Sequence, residues 1–118
     1  MNILRLEKYK NLSLVIDATD VGIKNGYLIR DNPFSDEEVS IADDCWHGGV
    51  TYNGLAMIIS NHELILGHEF DEPCKYAIGF DTAHAGDYIP FIEPHGRKWT
   101  VDEIMNELKD AAMKVSEE

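Results

Sequence analysis

The sequence predicts an α+β fold: a mostly antiparallel sheet of about five to six short strands covered by one C-terminal amphipathic helix. Two observations carry the prediction. Up to about residue 95, short aliphatic runs alternate with turn-forming residues, the pattern of a strand meander. Beyond Thr100 the period changes, and Val101, Ile104, Met105, Leu108, Ala111, Ala112 and Val115 recur at steps of three and four. A chain of 118 residues can close one core but not two, so it reads as a single domain, with sheet over about 1–95 and helix over about 101–114.

The elements follow in order. LSLVID (Leu12 to Asp17) and GYLIR (Gly26 to Arg30) are aliphatic runs bounded by turn formers, and Lys24-Asn25-Gly26 between them carries an Asn-Gly hairpin signal. In DNPFSDEEVSIADD the Asn-Pro step breaks structure, and Ser35 can cap a short helical turn through Glu38 in an exposed acidic segment. GGVTYNG, AMIIS, HELILGHEF and KYAIGFD are further β-type runs, separated by Asn-Gly, Asn-His and Asp-Glu-Pro. Thr100 and Glu103 form a capping box at the head of the helix, whose apolar stripe needs a sheet face to pack on.

Composition narrows the function classes. The net charge of −12 opposes direct binding to nucleic-acid backbones or anionic membranes, which draw on clustered Lys and Arg. No window reaches the roughly 18 apolar residues of a membrane span, and MNILRLEKYKNLSL lacks the unbroken apolar core of a signal peptide. Cys45 and Cys74 lack paired spacing and read as free thiols in a reducing compartment, so a cytoplasmic location is expected.

Chemically versatile side chains gather in two places: Trp46-His47-Gly48-Gly49 ahead of one strand, and the GFDTAHAGD stretch after another. Asp81, His84 and Asp87 lie three apart, a spacing that a loop or helical turn brings to one side, and His47 from the HGG segment could join them. Such a set suits a divalent metal, or general acid–base catalysis with a carboxylate fixing the imidazole tautomer. His47, Asp81, His84 and Asp87 are therefore the candidate catalytic and metal-ligating residues. A ligand clamp would use the same four with Gly48, Gly49, Thr51 and Arg97. A local Asp-x-x-His turn explains Asp81 and His84 with the fewest assumptions. Arg97 and Lys98 could receive an anion near the start of the helix, or be an ordinary loop charge pair. His62, His68 and His95 read as surface residues in turns.

HGGVTYNG (His47 to Gly54), IGFDTAHAGDY (Ile78 to Tyr88) and the closing amphipathic helix together resemble a family of small, largely uncharacterised proteins of phages, prophages and gut bacteria. The resemblance spans roughly Gly22 to Val115. It departs from the family where RDNPFSDEE replaces a Gly-His-Pro-like segment. It implies an accessory protein in a bacterial cytoplasm that counters host defence. Three functions follow from these readings: binding a small polar ligand, of nucleotide-signal type, between the HGG and GFDTAHAGD loops; a small metal-dependent hydrolase; or an acidic inhibitor of a host nucleic-acid-binding protein. The partner is a small molecule or a host protein, and a homo-oligomer is compatible with each.

Overall fold

The computed structural model describes residues 2–59, 63–83, 86–90 and 92–117. Strands β1 (Asn2–Tyr9), β2 (Leu12–Ala18) and β3 (Lys24–Arg30) come first, then helix α1 (Asp36–Cys45). Strands β4 (Tyr52–Ile59), β5 (Glu63–Gly67) and β6 (Lys75–Asp81) follow, and helix α2 (Val101–Ser116) ends the chain. The α+β class and the antiparallel strands are as predicted. The sheet, however, closes on itself in the order β1-β2-β3-β6-β4-β5, with Asn2 opposite Glu63 at the seam.

Closure has a physical reason legible in β2. Leu14, Val15 and Ile16 are consecutive and all at most 1% exposed, so both faces of the strand are buried. An open sheet under one helix would leave one of those faces in water; a twisted sheet that curls shut buries both. Val15, Tyr27, Ile29, Ala56, Leu64 and Ala77 form one core and fill the lumen. Leu14, Ile16, Leu28, Ile78 and Phe80 alternate with them and form the outer core, against Ile104, Met105, Leu108, Ala111 and Ala112 of α2. Strand β1 supplies Ile3 and Leu6 to the lumen, an odd spacing made possible by a bulge between Ile3 and Arg5.

Two Asn-Gly steps that suggested turns lie inside strands. Asn25 and Gly26 belong to β3, and the reversal sits earlier, where Thr19 N–H donates to Ile23 O and Gly22 N–H to Thr19 O, each at 2.9 Å. Gly22, at φ +88°, supplies the left-handed residue the turn needs. Gly26 serves packing instead: a Cβ there would lie 2.9 Å from the Ile104 side chain, so its absence lets α2 approach the barrel. Asn53-Gly54 likewise runs through β4, joining the two runs expected to be separate strands.

Helix α1 is longer than the single turn expected, ten residues, because Ala42 and the adjoining Trp46 bury against α2. Its Ser35–Glu38 capping box forms as predicted. Glu38 also takes two hydrogen bonds from the Arg30 guanidinium, which is the main reason its carboxyl is pushed down to about 2. In α2 the Thr100–Glu103 box forms and the predicted stripe is buried, Val101 partly so, the helix running two residues beyond Lys114 to Ser116. No helix among the described residues is long and apolar enough to cross a membrane. Both cysteines are free and partly buried.

Candidate functional site

The loop between β6 and α2 is knitted to itself around Asp87. Tyr88 N–H donates to Arg97 O and Arg97 N–H to Gly86 O, both at 2.8 Å, making a short parallel bridge between Asp87 and Arg97. The two backbones approach so closely that a Cβ on Gly96 would sit 2.1 Å from Asp87 O. Asp87 itself is 2% exposed. Its Oδ1 accepts the Trp99 indole N–H at 3.0 Å, and its Oδ2 lies 2.7 Å from His47 Nε2. An ionised carboxylate only accepts, so with Asp87 ionised the donor of this contact is Nε2–H. The HGG and GFDTAHAGD loops therefore meet, through His47 and Asp87.

The HGG turn is what brings His47 there. Gly48 and Gly49 adopt φ of +71° and +78°, Gly49 N–H returns to Trp46 O, and Val50 N–H donates to Asp43 Oδ1 at 2.8 Å. These hydrogen bonds reverse the chain directly after α1 and aim the imidazole at the 86–99 loop, where it packs on the Trp99 ring with centroids 4.7 Å apart. Glu107 of α2 braces the turn: Oε1 accepts His47 N–H and its main-chain oxygen accepts the Trp46 indole, each at 3.1 Å. Burial pushes the Glu107 carboxyl upward, and among the described residues its Oε2 has no hydrogen-bond partner. Thr51 is pinned through its own N–H to Gly79 O, at 2.9 Å.

Asp81 faces elsewhere. It ends β6 in register with Asn25, which is in register with Asp17 across β3, and all three share the lumen parity of Tyr27 and Gly79. Its Oδ1 accepts Ala83 N–H at 3.0 Å, the local turn geometry of an Asp two residues back. His84 and His62 lie outside the described residues. Among the described residues no group of three or more His, Cys, Asp and Glu side chains is placed to hold a metal ion.

On the outer side of the barrel, next to the Asp87 cluster, lies a cavity of about 160 Å³. One wall is the β2–β3 turn, residues 21–23; the others are Lys24, Thr82, Tyr88, Arg97, Lys98 and Trp99. Thr82, directly after β6, is fixed by its hydroxyl donating to Lys24 O at 2.9 Å. Arg97 lies over the Trp99 ring at 3.9 Å and pairs with Glu103 of α2, while Lys98 lies over the Tyr88 ring at 4.6 Å. Of the ten Lys and Arg residues in this acidic chain, four, Lys8, Lys10, Lys24 and Lys98, have no carboxylate in ion-pair reach among the described residues. Lys24 and Lys98 line this cavity.

The lumen holds a second polar feature that composition did not mark. Asp17 is 0% exposed; its Oδ1 accepts Asn25 Nδ2 at 3.1 Å, and Oδ2 has no hydrogen-bond partner among the described residues. Burial raises its pKa, with the Asn25 hydrogen bond opposing. Burial also raises the neighbouring Tyr27, helped by the charges of Asp17, Tyr52 and Asp81. The sign for stability follows. Above about pH 4 an unfolded Asp ionises freely while the folded one resists, so Asp17 costs stability as pH climbs from there through its raised folded pKa. Wild-type melting temperature should therefore fall between pH 4 and 8 relative to Asp17→Asn; parallel curves for the two proteins across that range would refute it.

No family model, curated protein or solved structure matches the chain. The residues of the site are thus read from their own geometry.

Proposed function

We propose that this protein binds a small anionic molecule in the cavity beside the Asp87 cluster. The observation that carries the reading is the convergence of Lys24 and Lys98, both without carboxylate partners among the described residues, on one cavity of a chain with net charge −12. Most cations here are drawn to the abundant acids, and two of the four that are not line one concave space and form a local positive well. The aromatic walls, Tyr88 and Trp99, add apolar contact beside the charges, the mix typical of small-molecule sites.

In this reading His47 and Asp87 are positioning residues: they hold Trp99, and through the bridge at Arg97 the cavity wall, and do not touch the ligand. That moves the site from between the two loops to the far side of their junction. The phage-protein resemblance implies counter-defence either by sequestering a signalling nucleotide or by blocking an effector, and such a cavity suits the first. Of the competing readings, a metal-dependent hydrolase rests on the contact of His47 with Asp87, and an acidic inhibitor of a host protein rests on the net charge of −12.

Thermal-shift measurements against a panel of phosphate- and carboxylate-bearing metabolites test the proposal. An anion present at about one hundred times its Kd stabilises the fold by about 2.7 kcal/mol, or roughly 10 °C for a chain of this size. The Lys24→Ala/Lys98→Ala variant should fold, since both side chains reach solvent-accessible space, and show no shift. If no anion moves the wild-type transition, the cavity is not an anion site.

A further inference from the structure

We infer that the ligand of this cavity is a phosphate monoester, bound as its dianion by Lys24 and Lys98. The assignment rests on the anion-site reading above and adds the chemical class.

The charge count selects it. Arg97 lines the cavity, but its charge is already committed: the guanidinium lies on Trp99 and pairs with Glu103 Oε2. Glu103 is itself fixed, because its Oε1 accepts Thr100 N–H at 3.0 Å in the capping box of α2. That main-chain hydrogen bond first, then Arg97, hold its carboxyl below the usual range. Arg97 is therefore wall, and two uncompensated positive charges remain, Lys24 and Lys98. A phosphate monoester carries about −1.5 to −2 at neutral pH and matches them, whereas a carboxylate or a phosphodiester carries only −1.

Size and field set the upper limit. A cavity of about 160 Å³ is close to the roughly 150 Å³ that holds one benzene ring, so it admits a phosphate group and a few further atoms. The remainder of a larger ligand must lie outside, where the field of a chain with net charge −12 repels additional phosphates. Val21 and Ile23 on the facing turn offer the organic half of the ester an apolar surface.

Isothermal calorimetry on the whole chain at pH 8 and low salt tests this with five probes: ribose 5-phosphate, adenosine 5′-monophosphate, the cyclic 3′,5′-diester of adenosine, adenosine triphosphate and inorganic phosphate. The expected result is that at least one of the two monoesters binds about tenfold or more tightly than the cyclic diester and the triphosphate. Lys24→Ala and Lys98→Ala should each weaken that monoester by about tenfold, since each removes a charge-assisted contact. Glu103→Gln, which frees Arg97, should narrow the gap between monoester and triphosphate. Diester binding as tight as monoester binding would overturn the dianion assignment and leave an anion site standing. Inorganic phosphate binding more tightly than both monoesters would overturn the ester. If none of the five probes binds, the ester assignment fails, and the anion-site reading behind it fails as well when the carboxylate-bearing metabolites of the thermal-shift panel leave the transition unmoved.

Discussion

Asp87→Ala should lose about 3 kcal/mol of stability and melt roughly 12 °C below wild type. The side chain is buried and joins two partners on different loops: Oδ1 accepts the Trp99 indole N–H, and Oδ2 lies 2.7 Å from His47 Nε2. Its removal strands a buried indole N–H and cuts the link between the HGG turn and the 86–99 loop, and each orphaned buried donor costs about 1–3 kcal/mol. Asp87→Asn should be milder, because its amide oxygen can still accept from Trp99. The cavity should suffer more than the fold: with Trp99 released, the wall carrying Arg97 and Lys98 loses its anchor. Differential scanning calorimetry reads the first effect directly, and an Asp87→Ala transition coinciding with wild type would mean the carboxylate holds nothing together.

Gly96→Ala should be at least as damaging, about 3 kcal/mol or more, at the upper end of overpacking penalties. The added methyl would collide with the carbonyl carbon and oxygen of Asp87 and the nitrogen of Tyr88, all backbone atoms within 2.5 Å. No side chain can rotate away to relieve this, so the Asp87–Arg97 bridge must separate. A contrasting control is Gly86→Ala. A Cβ there meets nothing within 4 Å among the described residues, which leaves the penalty of the φ of +89°. Equal melting temperatures for Gly96→Ala and wild type would show that the loop is not knitted as described.

Local signals made much of the fold legible. Both capping boxes and the stripe of α2 were readable because their causes lie within four residues of one another. Barrel closure was not, since it depends on Asn2 meeting Glu63 and on β6 inserting between β3 and β4, pairings that no window reveals. The unbroken burial of LSLVID was the available clue. Asn25-Gly26 misled for a related reason: a glycine needed for helix approach and one needed for a turn look alike in sequence.

The site divides along the same line. His47 and Asp87 stood out by residue type, and they do meet. Lys24 did not, because its neighbours in the cavity, Lys98 and Trp99, lie more than seventy residues away in the chain. Asp17 was hidden as the polar end of an apolar run; only the register across β3 shows that it faces the lumen beside Asn25. Arg97 and Lys98 were visible as a cationic pair, but nothing local said that one is committed to Glu103 and the other is not.

The strand order also dictates how the chain can assemble. Strands β1 to β3 pair each with its neighbour in sequence, and β4 and β5 form a hairpin of their own. Among the described residues the two halves are joined by the Asn2–Glu63 pair at one seam and by β6, the last strand synthesised, lying between β3 and β4. Nucleation can begin locally, but closure waits for contacts spanning more than fifty residues, from Asn25 to Asp81, which places folding in the slower, millisecond-to-second regime of non-local topologies.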